Sequence, residues 1–367
     1  MYNINDITNT IIQGHVLNVF KQIPDKSINM CITSPPYWGL RNYETNPQIW
    51  DGDEDCEHEW GNTIKMKQSG GKGYKQDTSK ASWFEHQSSF CKLCDAWKGE
   101  LGAEPTFQLY IKHLLDIFEE VRRVLTDDGS CWVNLGDSYA GSNQGAGTKN
   151  PTKKQASNKG TNYMSSPNHK SLLKNCGIKA KSLIGIPDRF KIAMIDNGWI
   201  CRNEIVWHKP NQMPSSAKDR FTVDFEKLYF FSKNKKYCFY QQFEPIAETT
   251  IKRNKYGWDG NGQGIIAVGR KREPGSFGDE KKSRNKRCVW SINTKSFKEA
   301  HFAVFPSDLI ETPIEASCPE NGIILDPFMG SGTTAISALG LNRNYIGIEL
   351  NKEYIDIAEK RIQESNQ

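Results

Sequence analysis

The chain has 367 residues, of which 37% are hydrophobic, enough to bury a full core in one large domain carrying insertions. Its start lacks a basic run followed by an apolar one, and no stretch nears the roughly 20 apolar residues of a bilayer span, so the expectation is a soluble, cytoplasmic protein without a membrane role. Ten cysteines scattered along so long a chain argue against a disulfide scaffold, and a net charge of +5 matters less than where the charges lie.

A strand-like step at 11–12, a helix-like 16–22 and an apolar strand at 28–33 form one βαβ unit that runs into the rigid turn Ser34-Pro35-Pro36-Tyr37. The next segment, 51–100, has little apolar content at 65–88 and carries Cys56-x-His58 and Cys91-x-x-Cys94. Three thiols and an imidazole at these spacings are the ligand set of a closed structural zinc site, with His86 as a competing ligand. Four protein ligands leave no position for water, so the metal has no catalytic part, and it would hold together an insert that lacks its own core.

From 106 to 125, Leu109, Ile111, Leu114, Leu115, Ile117, Phe118, Val121 and Val124 recur with a helical period; Asp127-Asp128-Gly129 reads as the helix stop and 131–135 as the next strand. Between Asp137 and Asp188 there is no acid, while Lys149, Lys153, Lys154, Lys159, Lys170, Lys174, Lys179 and Lys181 lie among Gly, Ser, Asn and Pro. That loop is read as following a phosphate backbone, a solvated lysine-rich loop being the alternative. A helix at 186–196 and strands at 200–208 and 228–232 lead to a second basic stretch with Arg270, Lys271, Arg272, Lys281, Lys282, Arg284, Lys286 and Arg287, followed by Trp290. The last set is a strand at 323–325, a glycine-rich turn, a helix at 333–339, a strand at 345–348 and a helix at 352–363. Such alternation predicts an α/β fold with a mostly parallel, doubly wound, Rossmann-like sheet.

The turn Asp326-Pro327-Phe328-Met329-Gly330-Ser331-Gly332-Thr333-Thr334 joins a buried strand to a helix, and its glycines let the backbone approach a ligand closely. Glu349 ends the next strand, where nucleotide-binding sheets hold ribose hydroxyls. The turn lacks the lysine of a phosphate-binding loop, so a nucleoside without phosphates fits it better than a triphosphate.

This turn resembles the methionine-binding motif of amino-methylating DNA methyltransferases, and Ser34-Pro-Pro-Tyr37 resembles their catalytic motif. Catalytic motif first and cofactor motif last is the order of the β class, a circular permutation of the same sheet. The resemblance spans nearly the whole chain, taking in Trp207-His208-Lys209-Pro210, Phe230-Phe231-Ser232-Lys233 and Phe302-Ala303-Val304-Phe305-Pro306. It implies S-adenosylmethionine as cofactor, held by Asp326, Pro327, Phe328, Gly330, Ser331, Gly332, Thr333, Glu349, Phe305, Pro306 and His15. His15 stands where the family has an aspartate against the adenine. Similar inserts flanked by tryptophans, here Trp60 and Trp97, occur in some relatives.

A base amino group is hidden in the duplex stack, so an enzyme that methylates one must swing the base out and hold it. The resemblance implies that Tyr37 supplies an aromatic face, that the Ser34 hydroxyl and the Pro35 carbonyl accept the amino hydrogens in a turn stiffened by Pro36, and that Asn134 adds a polar contact. Direct displacement depends on positioning and requires no covalent cysteine. The expected reaction is methylation of cytosine N4 in duplex DNA. Adenine N6 is the alternative, and a zinc-containing DNA-binding protein without catalysis is the rival from another class. Bacterial or phage restriction-modification is the implied setting, with a cognate restriction endonuclease left open as partner. The expected organisation is a catalytic domain at 1–50, 101–139, 182–235 and 301–367, a zinc-binding insert at 51–100, a basic DNA-binding loop at 140–181 and a target recognition region at 236–300.

Overall fold

The structure is a computed structural model that describes residues 1–40, 45–61, 89–141, 176–247, 249, 283–295 and 305–365. Lysines 149 to 174, the cations from 270 to 282, His86 and residues 302–304 lie outside the described residues. The chain opens with a short helix α1 (Ile4–Ile7), strand β1 (Thr10–Gln13), helix α2 (Val16–Phe20) and strand β2 (Ile28–Thr33). Three short strands follow, β3 (Gln48–Trp50), β4 (Ser89–Phe90) and β5 (Trp97–Gly99), then helix α3 (Phe107–Val124) and strand β6 (Leu125–Leu135). Helix α4 (Ile186–Asp196) leads to strands β7 (Ile200–His208), β8 (Phe225–Ser232), β9 (Phe243–Pro245), β10 (Ser283–Asn285) and β11 (Val289–Ser291). The C-terminal part is helix α5 (Ser307–Ser317), strand β12 (Ile323–Asp326), helix α6 (Thr333–Gly340), strand β13 (Asn344–Glu349) and helix α7 (Lys352–Ser365). No helix among the described residues is long and apolar enough to cross a membrane.

Eight strands form one sheet in the order β1-β13-β12-β2-β6-β8-β7-β11. The run from β1 to β6 is parallel, β8 is antiparallel to both β6 and β7, and β11 is parallel to β7. Side-chain alternation splits the core into two layers. Cys31, Cys131, Val133, Tyr229, Phe231, Leu325 and Ile346 pack on one face with α2, α3 and α4, while Met30, Ile32, Trp132, Leu228, Phe230, Ile324 and Tyr345 pack on the other with α5 and α6. On the first face α3 presents a stripe: Tyr110, Leu114, Ile117, Phe118, Val121 and Val124 are fully buried at helical spacing. Thr106 caps its start, its hydroxyl accepting from Leu109 N at 3.2 Å.

The helix stop expected at Asp127-Asp128-Gly129 is instead a bulge within β6. The helix ends at Val124, and β2 pairs with β6 at Ile28–Leu125 and again from Met30–Ser130, so residues 126–129 bow out opposite Asn29. Two elements cross the expected boundaries: Gln48–Trp50, expected with the catalytic part, pairs with β5 of the 51–100 insert in a separate antiparallel sheet of order β3-β5-β4, and Val289–Ser291, expected in the recognition region, forms the edge of the main sheet.

This topology dictates where a ligand can bind. The carboxyl ends of β1, β13, β12, β2 and β6 share one edge of the sheet. Because β8 runs the other way, its first residues reach that same edge, beside the last residues of β7.

Candidate active site

At this edge a cavity of about 240 Å³ gathers Ser34, Pro36, Tyr37 and Asn134 with Asp326, Pro327, Phe328, Gly330, Ser331, Thr333, Glu349, Phe305 and His15. Pro35, Gly332 and Pro306 are not among the lining residues. Pro35 and Pro306 are buried beside it, and Gly332 closes the turn at φ +83°, where an added Cβ would come within 2.8 Å of Ala358.

The Ser34–Tyr37 turn is built around the Tyr37 hydroxyl. It accepts from Ser34 Oγ at 3.3 Å and lies 3.0 Å from both Asn134 Oδ1 and Glu226 Oε2, so its one proton goes to either acceptor. Asn134 is oriented by its amide, which donates to Lys227 O at 3.1 Å, and the other Glu226 oxygen pairs with Lys209, whose ammonium lies 4.3 Å over the Trp207 ring. Gly136 makes room for the tyrosine: a Cβ there would sit 2.6 Å from Tyr37 Cε2. Behind the turn, Tyr110 Oη donates to Pro36 O at 2.6 Å and Trp38 Nε1 to Glu104 O at 3.0 Å, so the segment leading into α3 fixes the turn's backbone.

The glycine-turn end of the cavity is organised by two buried acids. Asp326 accepts from Thr33 Oγ1 and Thr334 Oγ1, each at 2.6 Å, and from Phe328 N at 3.0 Å, tying β2, the turn and α6 together. Burial pushes its carboxyl up to about 6 against these donors. Glu349 accepts from Gly330 N at 2.8 Å through one oxygen and from Leu350 N and Asn351 N, at 2.9 and 2.8 Å, through the other; burial raises its pKa as well. Gly330 adopts φ +53°, a left-handed conformation that aims its N–H at Glu349. Both carboxylates thus shape the turn through contacts within the chain.

At the end of β1, Gly14 N donates to Glu349 O at 3.1 Å, which sets His15 beside the acid. Burial, aided by the nearby His113 and Lys21, drives the His15 imidazole down to about 4, so it is neutral at physiological pH, and its Nε2 is buried without a partner.

Cys56, His58, Cys91 and Cys94 also come together: their ligand atoms all lie within 4.8 Å of one another, with Cys56 Sγ 3.9 Å from Cys91 Sγ and Cys94 Sγ 3.4 Å from His58 Nδ1. Of the basic stretches, the described members are partly paired. Lys181 meets Asp219 at 2.7 Å, Arg284 and Arg287 share Glu244, and Lys286 donates to Thr312 at 2.8 Å.

Sequence reasoning missed Glu226, Lys209, Gln48 and Trp50, all of which line the cavity. The available signal for Glu226 was an acid near the head of a strand whose later residues, Leu228 to Phe231, are apolar or aromatic; for Trp50 there was none, because its strand is three residues long.

The profile of the DNA methylase family of N6/N4 methyltransferases matches residues 28–360. The chain is 35% identical over 357 residues to the type II methyltransferase M.Cfr9I of Citrobacter freundii, covering 96% of this chain and 87% of that one. It is 33% identical over 353 residues to the type II methyltransferase M.SmaI of Serratia marcescens, covering 96% and 90%. Among solved structures, PvuII DNA methyltransferase (cytosine-N4-specific) shares the fold with a TM-score of 0.52 and 17% identity, over 98% of this chain and 91% of that one. Since the family match runs from β2, the strand before the Ser34–Tyr37 turn, into the last helix, α7, the chain belongs to the N6/N4 family of DNA methylases.

Proposed function

We propose that the chain transfers a methyl group from S-adenosylmethionine to the N4 amino group of a cytosine turned out of duplex DNA, as the modification enzyme of a type II system in the bacterial or phage-infected cytoplasm, with a cognate endonuclease as partner. The observation that carries the reading is the convergence, in one cavity, of the Ser34–Tyr37 turn and the glycine turn shaped by Asp326 and Glu349. The cavity suits a nucleoside sulfonium: Phe305, Pro327 and Phe328 supply apolar wall, the glycine turn presents backbone, and the His15 Nε2 is a buried polar atom in want of a partner. Arg361 donates to Ser331 Oγ at 2.9 Å and does not line the cavity, so no cation of the turn awaits a phosphate.

S-adenosylmethionine, when bound, supplies the methyl group on a sulfonium centre. The Ser34 hydroxyl accepts one amino hydrogen of the base, and Tyr37 gives the ring a face to lie against. Glu226, rather than the Pro35 carbonyl, is the second acceptor lining the cavity; its carboxylate offsets the positive charge that grows on the nitrogen and takes the proton the methylated amine sheds. Lys209 holds that carboxylate in place. The neutral serine at the head of the turn supports cytosine, since the resemblance implies serine there more often with cytosine and aspartate with adenine. Adenine N6 is the second reading, favoured by the same Glu226, which brings an acid beside a turn that lacks one. Incubation with S-adenosylmethionine and duplex DNA, digestion to nucleosides and mass spectrometry is expected to yield N4-methylcytosine. N6-methyladenine alone would transfer the assignment to adenine, and no methylated nucleoside would remove the reading.

The segments 51–100, 140–181 and 236–300 are proposed to face the DNA, and the Cys56, His58, Cys91 and Cys94 set to hold one structural zinc. Tetrahedral zinc, with bonds of about 2.3 Å to sulfur and about 2.0–2.1 Å to nitrogen, implies ligand separations of about 3.8 Å for S···S and about 3.5 Å for S···N. The Cys56–Cys91 and Cys94–His58 separations, 3.9 and 3.4 Å, are close to these values, and all four ligand atoms lie within 4.8 Å of one another. Elemental analysis is expected to find about one zinc per chain, abolished by Cys91→Ser with Cys94→Ser. Unchanged metal content in that double variant means the ligands lie elsewhere.

A further inference from the structure

The zinc cluster and the cavity are two ends of one small piece of structure. Strand β3 carries Gln48 and Trp50, which line the cavity, and runs directly into the loop bearing Cys56 and His58. Its partner β5 follows just after Cys94, with Trp50 opposite Trp97 and Trp50 Nε1 donating to Gly99 O at 3.1 Å. Between them Gly52, at φ +81°, is pressed so closely on the cluster that an added Cβ would lie 2.9 Å from Cys94 Sγ and 2.5 Å from Ala96 Cβ. Tying the four ligands therefore ties the strand.

Trp50 reaches the cofactor side of the cavity through His15. The indole is 3% exposed, and the His15 ring meets it edge-on, with centroids 4.6 Å apart at 78°. Trp50 and Trp97 both stack on His113 of α3, at 4.8 and 5.5 Å, and Asp51 meets His113 Nε2 at 3.1 Å. These contacts come from strands of two or three residues whose register the ligand cluster at one end helps to hold, so the Trp50–His113–Trp97 stack depends on the strands staying paired. His15, beside Glu349 and with an unpartnered Nε2, takes its seat from Trp50.

We propose that the zinc held by Cys56, His58, Cys91 and Cys94 sets the affinity for S-adenosylmethionine, because the sheet it fastens carries Trp50, the wall that seats His15 against the adenine. The metal acts by positioning and touches no reacting atom. Adenine recognition through a neutral histidine replaces the acid that the resemblance places there, and it makes cofactor binding conditional on an intact thiolate cluster. The proposal rests on the zinc reading above.

The test uses the full chain, native, stripped with a chelator and reconstituted with zinc, titrated with S-adenosylmethionine by calorimetry while zinc content and circular dichroism are followed. Stripping is expected to weaken cofactor binding about tenfold or more, with recovery on adding zinc, since loss of one buried hydrogen bond and its packing is of that size. Trp50→Leu and His15→Ala are expected to keep their zinc and lose affinity by a similar factor. A zinc-free chain that keeps its fold and its affinity overturns the proposal and leaves the zinc site standing. If stripping unfolds the chain, zinc-loaded Trp50→Leu and His15→Ala decide, and unchanged affinity in both overturns it. A native chain that neither contains nor takes up zinc removes the zinc reading itself and this proposal with it.

Discussion

Glu226→Gln is expected to lower the rate of methyl transfer about 100-fold while leaving S-adenosylmethionine affinity within about twofold of the parent, the range seen when one preorganised charge or donor is taken from a reacting centre. Glutamine keeps the shape and the contact with the Tyr37 hydroxyl, but it removes the negative charge and leaves the Lys209 ammonium facing the base unopposed. In the proposed reaction the amino nitrogen becomes cationic as the methyl group arrives, so this change raises the barrier far more than it weakens binding of a neutral base. Cofactor affinity is spared because Glu226 lies on β8, outside the glycine turn and its two organising acids. Single-turnover rates with duplex DNA and calorimetry with the cofactor separate the two effects. A rate within about threefold of the parent, together with weaker DNA binding, would make Glu226 a base contact with no part in charge stabilisation.

What could be read in the sequence was what sits close together in it. Ser34 to Tyr37 and Asp326 to Thr334 are contiguous stretches whose backbone chemistry declares itself, and the alternation of apolar strands with periodic helices defined the sheet that joins them. The groups that complete the site are neighbours only across the sheet. Glu226 meets Tyr37 from 189 residues away, because the antiparallel course of β8 brings its first residues to an edge otherwise made of strand ends. No single-sequence signal distinguishes that edge from the other. The Asp-Asp-Gly run was a sound turn signal, yet it marks a bulge: Leu125 already pairs with Ile28, so the polar residues are expelled from a strand that resumes. Helix α5 went unread because Pro313 interrupts its pattern, although the helix contains it. At His15 the departure from the expected acid was visible. Its consequence was not, since it depends on Trp50 from a different sheet.

Asp326→Ala is expected to abolish cofactor binding, with a loss of more than about 100-fold, and also to weaken the fold. The carboxylate is fully buried and anchors Thr33 from β2, Thr334 from α6 and the Phe328 backbone. Its removal strands buried donors at about 1–3 kcal/mol each, moderated where a threonine hydroxyl rotates to another acceptor, so a net loss of about 3 kcal/mol is expected. The dependence on pH identifies the group. Burial raises Asp326 from an ordinary 3.8 to about 6, so between those values the folded chain holds a proton that the unfolded chain has given up. Its contribution to stability is therefore full below about 4 and is lost as pH rises through about 6. The alanine variant lacks this term. Urea unfolding of parent and variant at pH 4.5 and 7.5 should then show the larger difference at the lower pH, by roughly 1–3 kcal/mol. A difference that stays constant or shrinks on acidification would mean that Asp326 ionises as freely in the folded chain as in the unfolded one, and that its threonine and backbone donors hold a charge that burial does not oppose.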